Sequence, residues 1–262
     1  RPRFVAVGES FSREQPGLWT LRGVDRVEAA RVFAQASGFV AVSSLLKRQL
    51  IADLGVPEEK IRVFPNGVDL DRFRPMDRIE MRRKHSLPMD AFLVVFVGAF
   101  DERKGVARVC EAIRGMPNTG GVFVGEGPIE PRGDQVIYRG RVPHEDVAEL
   151  LAACDAFVLP SQAEGSSNAT LEAMACGLPV VVSAGDFNDD LVSQDVAMRV
   201  DPMDVEAIRV AIGRLRTAPE RREWMGKAAR ERALSFDLRA RAMGILAWMN
   251  AVATGEWAEE RE

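Results

Sequence analysis

A doubly wound α/β fold on a parallel sheet is what this sequence predicts, and three observations predict it. Short β-branched runs alternate with amphipathic helical segments along nearly the whole chain, the pattern of a parallel sheet covered by helices. Cap signals fall where those segments end: Ser43 before one helix and Pro57 after it, Pro219 at a first helical position, and Gly177-Leu-Pro179 stopping another. A chain of 262 residues, 47% hydrophobic and 28% charged, can bury one large core or two smaller ones.

In chain order, strands are expected at Arg3–Val7, Gly38–Val42, Ile61–Phe64, Leu93–Val97, Gly121–Val124, Val136–Tyr138, Ala156–Leu159 and Pro179–Val182. Helices are expected at Val24–Ala36, Ser44–Leu54, Arg78–His85, Val106–Arg114, His144–Ala153, Asn168–Cys176, Val205–Arg216, Pro219–Leu234 and Leu238–Val252. Turn chemistry at Pro65-Asn-Gly-Val-Asp69, followed by a charged, proline-flanked stretch to Met76, marks the best boundary between domains. It divides the chain into residues 1–68, a βαβα pattern, and residues 69–262, a self-sufficient doubly wound domain. The chain opens Arg-Pro-Arg and reaches the apolar run Phe4–Val7 almost at once, which reads as a start in mid-domain.

Bulk properties exclude several function classes. The net charge of −4 gives no reason to expect nucleic acid, and no basic block is interleaved with aromatics. Cys110, Cys154 and Cys176 are odd in number and lack metal-ligand spacing, so reduced core thiols in a cytoplasmic protein are expected. No run approaches the ~20 apolar residues of a membrane span. The sequon Asn168-Ala-Thr170 lies in a chain without a signal peptide and reads as accidental. His85 sits in a basic helical segment and reads as solvated, and His144 follows Pro143 at a helix start and reads as a cap.

The most informative stretch is Glu164-Gly-Ser-Ser-Asn-Ala-Thr-Leu-Glu172, directly after the expected strand Ala156–Leu159. It sets two carboxylates across the start of a helix. At ~1.5 Å of rise per residue they stand roughly 12 Å apart, too far to be a catalytic pair. They read as clamps on the two ends of one elongated ligand, with a helix N-terminus between them that suits a phosphate. A ligand with hydroxyls at both ends and phosphate in the middle is a nucleotide sugar.

Further pieces fall in register with that element: Phe64-Pro-Asn-Gly-Val-Asp69 with Phe73, Phe96-Val-Gly-Ala-Phe-Asp-Glu-Arg-Lys104-Gly105, Val124-Gly-Glu-Gly-Pro128, Gly140-Arg-Val-Pro-His144 and Leu159-Pro-Ser161. In order and spacing, over roughly residues 38 to 250, the chain resembles the retaining glycosyltransferases of GT-B fold and GT4 type (glycosyl transferases group 1). The paired-glutamate element running on into Ala-Met-Ala-Cys-Gly-Leu-Pro-Val-Val is the specific part of the match; the other pieces are individually weak. The resemblance implies a nucleotide-sugar-binding Rossmann-like domain at 69–262. Its terminal helix, about 238–252, would pack back towards a partial acceptor-side Rossmann-like domain at 1–68.

The same resemblance implies roles. Glu172 would take the ribose hydroxyls, as a carboxylate does in dinucleotide sites; otherwise it is an exposed helical glutamate. Glu164 would bind and orient the donor sugar, or else is a solvated loop acid. Gly165, Ser166, Ser167 and Asn168 would bring backbone N–H groups close to sugar and phosphate, and Ser167 or Asn168 would also cap the helix. Lys104 would stabilise the charge that builds on a departing diphosphate, or is an ordinary surface lysine. The family often has an arginine after Gly98, where this chain has Ala99, so Arg103 is the candidate second cation. Gly98 would admit the phosphate to the backbone or simply turn the chain. Arg141 and Val142 fall where the family's main chain reads the nucleobase edge.

No metal and no cofactor is implied. Asp69-Leu-Asp71 is formally Asp-x-Asp but lies in the linker motif. The partners implied are a nucleotide sugar and a hydroxyl acceptor on a glycan, lipid or small molecule, with peripheral contact at the inner face of a membrane also compatible. A complete GT-B enzyme carries an N-terminal domain as large as its second one, so a missing N-terminal half, supplied by a longer parent chain, is expected. Glu9 and Ser10 are the only residues before the linker read as cleft-facing. Two other readings fit the same residues: a nucleotide-sugar-binding module inactive without that half or a partner, and a nucleotide-sugar epimerase of the same fold.

Overall fold

The structure, a computed structural model, describes residues 2–8, 31 and 33–255. Glu9, Ser10 and most of the expected helix Val24–Ala36 lie outside the described residues. Two parallel sheets are present. The smaller joins β1 (Phe4–Val7), β2 (Gly38–Ala41) and β3 (Ile61–Val63) in that order. Helix α1 (Ser44–Leu54) packs on it, its N-terminus capped by Ser43 and its end closed by Gly55.

The larger sheet holds β4 (Phe92–Val97), β5 (Thr119–Val124), β6 (Val136–Gly140), β7 (Ala156–Leu159), β8 (Val180–Ser183) and β9 (Ala197–Val200). Its spatial order is β6-β5-β4-β7-β8-β9, every pair parallel. Strands buried on both faces need near-continuous apolar sequence rather than alternation. Phe-Leu-Val-Val-Phe-Val of β4 and Val-Val-Val of β8 supply it, and Leu93, Val95, Phe96, Phe123, Phe157 and Val180 are fully buried. Helices α2 (Arg78–Lys84), α3 (Val106–Ile113), α4 (His144–Ala153), α5 (Asn168–Ala175), α6 (Val205–Thr217), α7 (Pro219–Leu234) and α8 (Leu238–Thr254) follow in the described residues.

Asp155, at the foot of β7, accepts from Arg78 and Arg82 (2.7 Å each) and from the Leu93 N–H (2.8 Å). Arg82 spends its other donors on the carbonyls of Ala153, Pro88, Met89 and Ala91. This ion cluster ties α2 to the starts of the central strands β4 and β7, at the opposite end from the strand ends that carry the site. His85 is not solvated as expected. Its Nε2 lies 2.8 Å from a carboxylate oxygen of Glu149, which also holds Lys84.

The two sheets are joined by specific contacts. Trp248 of α8 meets the rings of Phe4 and Phe64 at 5.8 and 6.4 Å. The Ser44 N–H and hydroxyl both donate to the carboxylate of Asp190 (2.6 and 2.7 Å), which caps α1 from the other sheet's side. Strand β9 was not expected from the sequence; it is short, carries Arg199 and pairs on one side only. No helix among the described residues is long and apolar enough to cross a membrane.

Candidate functional site

Taken in sequence order, the strands of the larger sheet are arranged 3-2-1-4-5-6, so the order reverses between β4 and β7. In an open parallel sheet the crevice beyond the carboxyl ends of such a strand pair is where ligands bind. A cleft of about 1040 Å³ lies there, lined from the β4 side by Gly98, Arg103 and Lys104 and from the β7 side by Gln162 through Ala169 and Glu172. Gly8 and Asn66 of the smaller-sheet side, His144, and Pro202 with Met203 complete its wall.

The loops after β4 and β7 are stitched together. Arg103 donates to the Ala163 carbonyl (2.8 Å), and the Gln162 N–H donates to the Arg103 carbonyl (2.8 Å). Behind them Arg108 of α3, 6% exposed, pairs with the Glu102 carboxylate and donates to the carbonyls of Glu102 and Pro160. Lys104 is held through its N–H on Asp101 (2.7 Å), and its ammonium lies 2.6 Å from Oε1 of Glu164. Arg103 stands 4.0 Å from the other oxygen of that carboxylate. Glu164 is therefore a buried, doubly attended acid, not a solvated loop residue.

Ser167 is the N-cap of α5, its hydroxyl accepting from the Thr170 N–H (3.3 Å). The first two helical residues, Asn168 and Ala169, line the cleft, so the positive end of the helix borders it between the two glutamates. Ser166 is engaged by Asn66, whose N–H reaches the Ser166 hydroxyl (3.1 Å) and whose side chain donates to its carbonyl (2.9 Å). The Pro65-Asn-Gly67 turn is thus part of the site wall and not merely linker.

Glu172 sits in the second turn of α5 with its side chain 14% exposed. Burial pushes its carboxyl above the ordinary range, and a hydrogen bond with His144 and the charge of Arg72 oppose that. His144 does not cap α4: Pro143 holds the cap position with no side-chain bond. Its imidazole reaches sideways, with Nε2 3.2 Å from Glu172 and Nδ1 2.8 Å from Arg72. Cys176, one turn along α5, is a buried thiol pushed up to about 12 by burial.

Gly98 ends β4 at φ +155°, a conformation that a side chain strains. It is backed by Gly125, where a Cβ would fall 1.9 Å from the Gly98 carbonyl oxygen. The Gly125-Glu-Gly127 turn therefore supports the Gly98 loop, with the Phe100 N–H donating to the Glu126 carbonyl (2.7 Å). Arg141 and Val142 are not among the cleft-lining residues. The Arg141 side chain pairs outward with Glu126 (3.1 Å), its carbonyl accepts from the Tyr138 hydroxyl (3.3 Å), and Val142 packs half-buried on the core. Asp69 is used locally, its carboxylate accepting the N–H groups of Asp71 and Arg72 (3.1 Å each).

The chain is similar in sequence and in fold to known proteins. The D-inositol 3-phosphate glycosyltransferase of Segniliparus rotundus is 30% identical over 248 residues, covering 87% of this chain and 55% of that protein. The GDP-mannose-dependent alpha-(1-6)-phosphatidylinositol monomannoside mannosyltransferase of Mycolicibacterium smegmatis is 30% identical, covering 82% and 62% respectively. The chain spans about half the length of the curated relatives it matches first. Among solved structures, Anabaena HepE in complex with UDP-glucose superposes with a TM-score of 0.81 at 20% identity, over 96% of this chain and 72% of that one, a likeness of fold. The Glycosyltransferase Family 4 profile matches residues 9–72, and the Glycosyl transferases group 1 profile matches residues 77–232, more than half the chain. The protein therefore belongs to the group 1 glycosyl transferases of GT-B fold.

Proposed function

We propose that the protein transfers a sugar from a nucleoside-diphosphate donor to a hydroxyl acceptor with retention of configuration and without a metal ion. One observation carries this reading: Lys104, Glu164, the start of α5 and Glu172 border a single cleft at the strand-order reversal. Glu172 accepts the ribose hydroxyls, the α5 N-terminus and Lys104 hold the diphosphate with Arg103 beside them, and Glu164 grips the sugar. Residues 69–262 form the donor-binding unit in this reading, and residues 1–68 belong to the acceptor side. In this reading the main chain at Arg141 and Val142, outside the residues that line the cleft, reads the edge of the nucleobase.

In the reaction the bond from the anomeric carbon to the phosphate oxygen breaks, and its electron pair stays on that oxygen. Lys104 and Arg103 stabilise the growing charge more in the transition state than in the ground state. The acceptor oxygen bonds to the anomeric carbon on the same face, and its proton passes to the departing phosphate oxygen. Two donors serve as probes, because one relative is GDP-mannose-dependent and one structural neighbour holds UDP-glucose.

The test is release of UDP or GDP from the corresponding sugar nucleotides in an acceptor extract, with and without EDTA, followed by NMR of the product's anomeric proton. Acceptor-dependent release insensitive to EDTA, giving the donor's own anomeric configuration, supports the reading. Inverted product or abolition by EDTA overturns the mechanism. Binding without release leaves a donor-binding module, and isomerised donor without release identifies an epimerase.

A further inference from the structure

Three elements far apart in sequence meet at the outer edge of the cleft. Arg72, in the segment between β3 and α2, places NH1 2.8 Å from Nδ1 of His144 at the start of α4. A guanidinium can only donate, so Nδ1 must accept and the ring proton belongs on Nε2. Nε2 lies 3.2 Å from Oε1 of Glu172 and therefore donates to it. The ring is braced edge-on by Phe73 at 5.4 Å, itself 1% exposed and adjacent to Arg72.

We propose that His144, its tautomer fixed by Arg72, is a positioning residue that donates to Oε1 of Glu172 and holds that carboxylate as an acceptor-only group for the donor's ribose. The inference rests on the donor-site reading of Glu172 given above. A carboxylate accepts two hydroxyl protons only while ionised, and a protonated carboxyl offers one acceptor fewer and a competing donor. Burial works against ionisation at Glu172, and the His144 bond and Arg72 charge work for it. The other groups around it leave that task to them. Cys176 on α5 is a neutral thiol, and Arg230 of α7 spends its NH1 on the carbonyls of Phe73 and Ala175 (3.0 and 2.8 Å). Since Arg72 and Phe73 lie in the segment connecting the two sheets, the ribose-binding carboxylate is also tied to the position of that connector.

The test titrates UDP and GDP by calorimetry from pH 5 to 8 into the native protein, Glu172→Gln, His144→Phe, His144→Gln and Arg72→Met, with Tm measured for each. A hydrogen bond to a charged group, converted to affinity, corresponds to about tenfold. His144→Phe should bind about tenfold more weakly at pH 7, and its affinity should fall away at a higher pH than the native protein's. His144→Gln, whose amide can donate without titrating, should recover most of the loss, and Arg72→Met should show a smaller one of about threefold. Native affinity and a native acid limb in His144→Phe, where Glu172→Gln has lost binding, overturn the proposal, as does a Gln variant no better than Phe. If His144→Phe does not fold, an unchanged affinity and acid limb in Arg72→Met overturn it. If the native protein binds neither nucleotide, or Glu172→Gln binds as well as native, the donor-site reading falls and takes this inference with it.

Discussion

The ammonium of Lys104 lies 2.6 Å from Oε1 of Glu164, with the two side chains only 16% and 9% exposed. In the proposed function the cation is the phosphate ligand and the acid the sugar ligand, and in the free protein the two neutralise each other. A donor must therefore divide an existing ion pair, replacing it with one contact to phosphate and another to sugar hydroxyls. Glu164 loses little by this exchange, since Arg103 stands 4.0 Å from its second oxygen.

Glu164→Gln separates the two roles. Without the carboxylate the ammonium of Lys104 is free for phosphate, so a nucleoside diphosphate lacking its sugar should bind several-fold more tightly, by about 0.5–1 kcal/mol as for a partly exposed charge contact. Sugar transfer should fall at the same time, because nothing charged grips the hydroxyls. Calorimetry and turnover on the same preparation check both, and weaker diphosphate binding would contradict the competition.

Lys104→Met should lower kcat about 10²–10³-fold, the range for removing one preorganised electrostatic group, with a smaller rise in KM. Steady-state kinetics over the donor concentration decide it. A rise in KM with kcat intact would make Lys104 a ground-state anchor instead.

Local pattern made most of the larger sheet legible: β7 and the helices at 44–54, 144–153 and 219–234 fall where the apolar period and caps put them. β9 escaped because Ala-Met-Arg-Val is only four residues long and interrupted by an arginine, and an edge strand needs only one buried face. The paired glutamates were legible because their motif is contiguous. His144 and Asn66 were not, since their partners lie 28 and 100 positions away and no spacing rule links them. Each could be read only as a cap or a turn, the local job its neighbours suggest. Asp190, 146 positions from Ser44, escaped for the same reason.

Glu172 gives a pH signature in stability. Burial sets its folded pKa above the ordinary value of 4.5, so the folded state prefers the proton. That contribution is fully present below pH 4.5 and is lost as pH rises through the folded value. Glu172→Gln removes the loss, so the variant should gain on the native protein across that window and melt about 1–2 °C higher at pH 7. Melting curves from pH 4 to 8 check it; a pH-independent difference would sink it. The same variant should bind nucleotide poorly, a site acid kept at a cost to stability.

Asp155→Asn should act on stability without touching the site. It leaves Arg82, 3% exposed, without its ionic partner, and stranding one member of a buried pair costs about 3–5 kcal/mol. Melting should drop by roughly 10 °C, while nucleotide affinity measured well below the transition stays native. Lost affinity at a temperature where the variant is folded would show that the cluster reaches the cleft.

Gly125→Ala tests whether the glycine turn after β5 serves the site from behind. At φ +148° a Cβ is strained in place, and it would fall 1.9 Å from the Gly98 carbonyl oxygen, which is backbone and cannot swing aside. The Gly98 N–H is bound to the Val124 carbonyl at 3.0 Å, so the strain must move the loop that leads to Lys104. The expected result is a loss of about 1–3 kcal/mol in stability together with a tenfold or greater loss in affinity for the nucleoside diphosphate. Gly115→Ala is the control: it also has positive φ, at +72°, but nothing stands within 4 Å of its Cβ position, and it should lose stability with affinity unchanged. Equal effects of the two substitutions on binding would mean that the Gly125 turn supports only the fold.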